Sequence, residues 1–83
     1  MNSGFRKLKH IIYAGTFHQA RDFAAENNWA TSEWVYPYNR EVLMGIEGPK
    51  RNPESDLVVH RIGTWLNRPD HKDIDTELAV RGF

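Results

Sequence analysis

Two short apolar segments, each stopped by a glycine, limit most strongly what this chain can fold into. The first is residues 10–14, followed by Gly15, and the second is residues 57–62, followed by Gly63. Short segments that contain β-branched residues and are bounded by glycine are typical of buried strands. A threonine and an aromatic residue follow each glycine, which indicates that the same turn chemistry is used twice.

Helical patterns follow both predicted strands. Thr16 and Gln19 form a capping-box pattern at the start of segment 17–27, in which apolar residues recur at steps of three and four. A second helical segment begins at Asp70, a residue that favours helix starts, and Gly82 is suited to end it. The chain therefore alternates strands with helices.

A third, shorter strand pattern occupies residues 34–36 and stops at Pro37, which lacks the N–H needed in a sheet. Asn39 can then cap a short helix that ends near Gly45. Three strand–helix units predict an α/β fold, a small three-stranded and mainly parallel sheet in the order 2-1-3 with two to three helices, like half of a Rossmann fold. The alternative is a mixed sheet in which the short middle strand runs antiparallel at one edge.

The length of the chain favours one domain. Eighty-three residues without cysteine give no disulfides, and a chain of this size buries only about 60% of the surface that its unfolded form exposes. We expect a flexible N-terminal tail at residues 1–8 and a single α/β domain at residues 9–83. Residues 47–56, rich in proline and charged residues, are expected to form the most mobile interior loop.

The charge balance argues against nucleic acid as a partner. Eleven basic residues face eleven acidic ones, whereas domains that neutralise phosphates usually have a basic excess. No segment approaches the roughly 20 apolar residues of a membrane helix, and the apolar segment near the start is too short for a signal peptide. We therefore expect a cytoplasmic protein that does not associate with membranes.

The two glycine turns form the first candidate site. Ligands of open α/β sheets bind where the carboxyl ends of neighbouring strands meet, and helix N-termini offer free N–H groups to anions. The dinucleotide fingerprint and the P-loop motif are both absent, which excludes those specific phosphate loops. The same residues are also explained without a ligand, because glycine permits a tight turn and threonine caps a helix. The anion-binding residues would be Gly15, Thr16, His18, Gly63, Thr64 and Arg68.

Catalytic and metal chemistry find little support in the sequence. The four histidines are widely separated and lack the spacing of paired metal ligands on a helix. His10 and His60 fall on predicted strands and could face each other. The serines lie in expected loops or in the tail, without a nucleophile-elbow pattern. We assign no catalytic residue, no metal ligand and no cofactor.

Large aromatic side chains are the strongest indication of a partner. A small domain cannot bury all of them, and tryptophan and tyrosine dominate interaction hot spots because they combine apolar area with a polar group. They could equally cover the ends of a small core. The predicted interaction surface consists of Trp29, Trp34, Tyr36, Tyr38 and Trp65.

The chain as a whole resembles small, uncharacterised accessory proteins encoded by bacteriophages of actinobacteria. The likeness rests on segment 12–16, on segment 20–29 with Trp34 soon after, on segment 61–65, and on the acidic last helix that ends at residues 81–82. Such proteins are mostly of unknown function, so the resemblance assigns no site residue. It implies a setting inside an infected bacterial cell, where many small phage products bind host proteins.

These observations lead to two principal hypotheses. The first is a non-enzymatic module that binds a host or phage protein, or a second copy of itself, through the aromatic surface. The second is a binding domain for a nucleotide or another small anion, or a degenerate enzyme, that uses the turns at Gly15 and Gly63. Nucleic-acid binding ranks last because of the charge balance.

Overall fold

The computed structural model describes residues 8–83, so Leu8 is the one residue of the expected tail that it includes. Short 3-10 helices at Thr31–Glu33, Arg40–Leu43 and Trp65–Asn67 lie between the main elements. Within these residues, no helix is long and apolar enough to cross a membrane. The main elements, in chain order, are β1 (His10–Tyr13), α1 (Phe17–Glu26), β2 (Trp34–Val35), β3 (Val58–Arg61) and α2 (His71–Val80).

The three strands form one parallel sheet in the order β2-β1-β3. His10 of β1 lies opposite Trp34 of β2 on one side and opposite Val58 of β3 on the other. The predicted α/β class and the strand order 2-1-3 are therefore confirmed. The alternative with an antiparallel middle strand is wrong, because β2 runs parallel to β1.

The central strand supplies the middle of the core. Ile11, Ile12, Tyr13 and Ala14 have no solvent-exposed surface. Side chains alternate between the two faces of a strand, so Ile11 and Tyr13 point to one face while Ile12 and Ala14 point to the other. Full burial of one large aliphatic side chain is worth about 1.5–3 kcal/mol. This strand therefore contributes a large share of the stability of so small a domain.

Each face of the sheet has its own covering layer. On one face α2 and the 3-10 helix Arg40–Leu43 bury Leu43, Ile74 and Leu78 against the strand. On the other face α1 packs through two small residues, Ala20 and Ala24, and the layer is completed by Tyr36. The result is three layers, and the carboxyl ends of all three strands open at one end of the sheet.

Half of the predicted capping box of α1 is formed: Thr16 caps the helix, whereas the side chain of Gln19 accepts from the N–H of Gly15 and not from that of Thr16. Thr16 Oγ1 accepts a hydrogen bond from the backbone N–H of Gln19 at 3.2 Å, which satisfies one free donor of the first turn. At the other end Asn27 closes the helix and Asn28 has a φ of 60°, a left-handed conformation that asparagine tolerates better than most residues.

The short helix expected after Asn39 is present as a 3-10 helix. Asn39 Oδ1 accepts from the N–H groups of Glu41, at 2.9 Å, and Val42, at 3.3 Å. This cap starts the helix at Arg40, and its four residues are enough to place Leu43 in the core.

The C-terminal residues hold one end of loop 47–56 against the domain. The N–H of Lys50 donates to the carbonyl oxygen of Arg81 at 3.1 Å, and Arg81 Nε donates to the carbonyl oxygen of Ile46 at 2.9 Å. A Cβ on Gly48 would lie only 2.2 Å from the carbonyl oxygen of Arg81. The first residues of the loop are therefore held against the C-terminal residues. The expected mobility of the loop stays a prediction.

Candidate functional site

The carboxyl end of the sheet carries an open depression of about 530 Å³. Four of the six predicted anion-binding residues line it: Gly15, Thr16, Thr64 and Arg68. Gly63 does not line the depression, and the side chain of His18 is exposed on α1. The parallel strand order therefore brings the two glycine turns together, as expected for this end of an α/β sheet.

The side chain of Gln19 fills the space between the two turns. Its Oε1 atom accepts hydrogen bonds from the backbone N–H of Gly15 at 2.9 Å and from the backbone N–H of Thr64 at 3.2 Å. Thr64 Oγ1 donates to the same oxygen at 3.3 Å. The carboxamide oxygen of Gln19 thus occupies the position in which an anion would accept hydrogen bonds from Gly15 and Thr64.

Both turns are too tight for any residue larger than glycine. A Cβ on Gly15 would lie 2.0 Å from Thr64 Oγ1 and 2.8 Å from the backbone of that residue. Gly63 has a φ of 59°, and a Cβ there would lie 2.4 Å from Gln19 Oε1. The repeated glycine–threonine pattern is therefore explained by direct contact between the two turns.

Arg68 is the most buried charged side chain at this end of the sheet, with 7% of its surface exposed. It pairs with the carboxylate of Asp70 through Nε at 2.9 Å and through Nη2 at 3.0 Å. Its Nη1 group donates to the carbonyl oxygen of Ala14 at 3.2 Å, and its Nη2 group donates to those of Pro37 at 2.8 Å and Tyr38 at 3.1 Å. The guanidinium thus ties the chain after β1 to the chain after β2.

The aromatic rings of Tyr13 and Tyr36 complete the environment of this guanidinium. Its central carbon lies 5.4 Å from the ring centroid of Tyr13 and 5.3 Å from that of Tyr36, both within cation–π range. Burial, together with the negative charge of Asp75, raises the pKa of the Tyr13 phenol to about 12. Tyr13 is therefore a neutral hydrogen-bond donor at physiological pH, and its hydroxyl donates to the carbonyl oxygen of His71 at 3.1 Å.

The five predicted surface aromatics separate into three groups. Trp34, Tyr36 and Tyr38 gather around Phe17, with ring centroids 6.0, 5.9 and 5.9 Å from the Phe17 ring. They do not share one patch with the two remaining residues. Trp29 stacks on His10 under α1, and Trp65 packs against Tyr13 on the opposite face of the sheet.

Two shallow depressions, of about 330 and 360 Å³, share Trp34, Val35 and Val42. These shared residues lie on β2 and on the 3-10 helix beside it. The first depression also contains Phe17 and Tyr38, and Tyr38 is 62% exposed. We call the surface formed by Phe17, Trp34, Val35, Tyr38 and Val42 the edge groove.

Phe17 was not expected in the edge groove. The sequence pattern assigned it to the apolar face of α1, yet it is 37% exposed. It is the first residue of the helix, directly after the cap Thr16. Its place in the first turn is the signal that could have indicated its position at the end of the layer.

His10 and His60 form a direct side-chain contact, as the strand pattern suggested. His10 Nδ1 lies 3.0 Å from His60 Nε2, and the two ring centroids are 5.1 Å apart. The His10 ring stacks on Trp29 with a centroid distance of 3.5 Å. Partial burial lowers the pKa of both imidazoles, and the neighbouring His10 lowers that of His60 further.

Residues 8–83 contain no cluster of three or more histidine, cysteine, aspartate or glutamate side chains that could hold a metal ion. No family model matches the chain, and neither a curated protein nor a solved structure shows significant similarity to it. The resemblance to phage accessory proteins therefore stays a prediction, and the function has to be argued from the geometry.

Proposed function

We propose that this chain is a non-enzymatic protein-interaction module that binds an extended, apolar segment of a partner protein along the outer edge of β2. One observation carries the proposal: among residues 8–83, the edge groove lies beside a strand that pairs with β1 alone, so its outer edge is open. Its action would be occlusion or tethering of the partner, without chemistry.

An extended segment suits the outer edge of β2 because it can form backbone hydrogen bonds there. The outer side of an edge strand presents N–H and C=O groups that can pair with another chain, and many peptide-binding domains add a strand in this way. Pro37 ends the strand on the carboxyl side, which limits the pairing to a few residues. Specificity would then come from side chains of the partner that enter the depressions beside β2.

The side chains in the edge groove are of the kind that provide binding energy. Tryptophan and tyrosine are enriched among residues whose truncation costs about 2 kcal/mol or more in an interface. Trp34 is half-buried and its ring stacks on that of Phe17, so it is held in place, while Tyr38 extends further into solvent. A fixed anchor beside an exposed ring favours recognition of an apolar side chain.

The resemblance to phage accessory proteins supports a particular setting. We propose that the partner is a host or phage protein in the bacterial cytoplasm. The balanced charge supports a protein partner over a nucleic acid.

The experiment is selection of peptides from a displayed random library on the purified protein, followed by affinity measurement for the selected peptides. We expect apolar sequences to be enriched, with binding at least tenfold weaker to the Tyr38→Ala and Val42→Ala variants. The matched control is Leu66→Ala, which removes another exposed apolar side chain that is not part of the edge groove.

Two measurements distinguish a partner segment from a second copy of the chain as the occupant of the edge groove. Peptides that bind equally well to Tyr38→Ala and to the wild-type protein would contradict the proposal. Light scattering of the free protein provides the second measurement. A stable dimer that Tyr38→Ala dissociates and Leu66→Ala does not would assign the edge groove to a second copy of the chain.

A small-anion site at the carboxyl end of the sheet is the second candidate. The observation in its favour is that Gly15, Thr16, Thr64 and Arg68 line one depression. It ranks lower because Gln19 and Asp70 already accept hydrogen bonds from several of the donors that an anion would need. A thermal-shift screen with nucleotides and inorganic phosphate tests it, and absence of any shift would contradict it.

A further inference from the structure

The contact between His10 and His60 joins the central strand to β3 on the face covered by α1. The two nitrogens lie 3.0 Å apart, which is hydrogen-bond distance for an N–H group and a nitrogen lone pair. A neutral imidazole has one donor and one acceptor nitrogen, whereas a protonated imidazole has two donors and no acceptor. The contact therefore requires at least one of the two rings to be neutral.

The pair is covered by aromatic rings from α1 and the segment that follows it. Trp29 lies parallel to the His10 ring, with an interplanar angle of 9°, and its centroid is 5.1 Å from that of His60. Phe23 of α1 contacts both Trp29 and His60, with centroid distances of 5.5 and 5.4 Å. These rings exclude part of the solvent that would otherwise stabilise a second positive charge.

Charged groups near the pair act mainly on His10. The carboxylates of Glu33, before β2, and Asp56, before β3, raise its pKa, while Lys9 lowers it. Desolvation is the largest effect for both imidazoles, and the net pKa of each lies below the ordinary value of 6.5. The residues of α1 and its C-terminal turn that pack on the pair, Phe23 and Trp29, carry no charge.

We propose that the His10–His60 pair is a proton-sensitive latch that holds Trp29, and with it the C-terminal end of α1, on the sheet. One proton on the pair is compatible with a charged N–H···N hydrogen bond. A second proton removes the last acceptor and places two like charges in contact, so the rings separate. Trp29 then loses its stacking partner.

The segment that would move is short and defined. The N–H of Trp29 donates to the carbonyl oxygen of Ala24 at 3.0 Å, so Trp29 is attached to the last turn of α1. The N–H groups of Asn27 and Asn28 also donate into this turn. Opening of the latch is therefore expected to loosen the last turn of α1, while Ala20 remains packed on the sheet.

The direction of the pH effect follows from the lowered pKa values. The unfolded chain takes up protons on these histidines at about pH 6.5, before the folded protein does. The contribution of the pair to stability is therefore fully present above pH 6.5. It is lost as the pH falls from 6.5 through the lower pKa values of the folded state. Because the two sites interact, we expect two macroscopic steps rather than two independent titrations.

The experiment is an NMR titration of the imidazole signals and of the Trp29 indole N–H from about pH 8 to about pH 4.5. We expect the indole signal to shift together with the second of the two coupled imidazole steps. In His60→Gln and His10→Gln the pair is absent, so the indole signal should not follow that step. His18→Gln, which removes an exposed histidine of α1, is the matched control and should behave as the wild type.

Two results would overturn the proposal. One is an indole signal of Trp29 that stays constant while both imidazoles become protonated. The other is independent titration of His10 and His60 at ordinary values, which would show that the rings do not share a hydrogen bond. Both are measured on the wild-type protein, so the test stands even if a variant fails to fold.

Discussion

Replacing Arg68 with methionine keeps the length of the side chain and removes its guanidinium. In the folded protein this group is 7% exposed and bonds to the carboxylate of Asp70 and to the carbonyl oxygens of Ala14, Pro37 and Tyr38. The substitution therefore leaves three carbonyl oxygens and one carboxylate without their partner at the point where the ends of β1 and β2 meet.

The expected loss of stability follows from these contacts. Hydrogen bonds to a charged group contribute about 1.5–3 kcal/mol each, and contributions that share one group are not additive. The side chain of Asp70 is 33% exposed, so water can solvate its carboxylate after the substitution and the ion pair itself counts for little. We expect a loss of about 3 kcal/mol in the free energy of unfolding, and a melting temperature lower by about 12–24 °C.

Urea unfolding followed by circular dichroism measures this loss, with Arg21→Met as the matched control. Arg21 is exposed and lies 3.6 Å from an exposed Asp22 carboxylate, so its replacement should change stability by less than about 0.5 kcal/mol. A loss below about 1 kcal/mol for Arg68→Met would refute the structural role.

Three further predictions concern the same end of the sheet. Gln19→Ala removes the acceptor shared by Gly15 and Thr64, so it should lower the free energy of unfolding by about 1–2 kcal/mol and free these donors. Millimolar phosphate should then raise the melting temperature of the variant and not that of the wild type. Equal shifts in thermal melting would contradict this reasoning. Gly63→Ala should lower the free energy of unfolding by about 1–2 kcal/mol or more, because of the left-handed backbone at this position and the contact with Gln19. The control is Gly45→Ala, where nothing lies within 4 Å of the added Cβ. Similar urea midpoints for the two variants would contradict this explanation. The Tyr13 phenol, with its pKa raised to about 12, keeps its proton in the folded protein at a pH where the unfolded chain loses it. The free energy of unfolding should therefore fall as the pH rises above about 10. An equally steep fall in the Tyr13→Phe variant would rule out this cause.

Much of the fold could be predicted because local signals agreed with one another. The glycines at positions 15 and 63 marked the ends of two strands, and the cap at Thr16 marked the start of α1. Of the two strands, β1 is buried as expected, whereas β3 is half-buried at its centre and exposed at both ends. Proline at position 37 limited the middle strand, which the structure restricts to Trp34–Val35. The contact between His10 and His60 was also suggested correctly, because side chains two residues apart on a strand share a face and neighbouring parallel strands align those faces.

The details of the sites depended on contacts that no local pattern encodes. Gln19 was assigned to the helix cap, but its side chain reaches the turn at Thr64, 45 residues away in sequence. Arg68 was expected at a ligand site because it follows the second glycine turn at the carboxyl end of the sheet. In the structure its guanidinium is instead bound by Asp70 and three carbonyl oxygens. Trp29 and Trp65 lie between the main strands and helices, where no helical or strand periodicity applies, so their faces could not be assigned.

The position of β1 in the chain has a consequence for how the protein is made. This strand comes before both of its neighbours, and His60, which completes the contact with His10, lies 50 residues later in sequence. While the chain is being synthesised, Ile11 and Tyr13 can therefore pack on Leu43 but stay incompletely covered until β3 and α2 have left the ribosome. A nascent chain that stops earlier has no complete core on the α2 face of its central strand. The domain is thus expected to fold in one step after its last helix emerges, and not by stable accumulation of its first half.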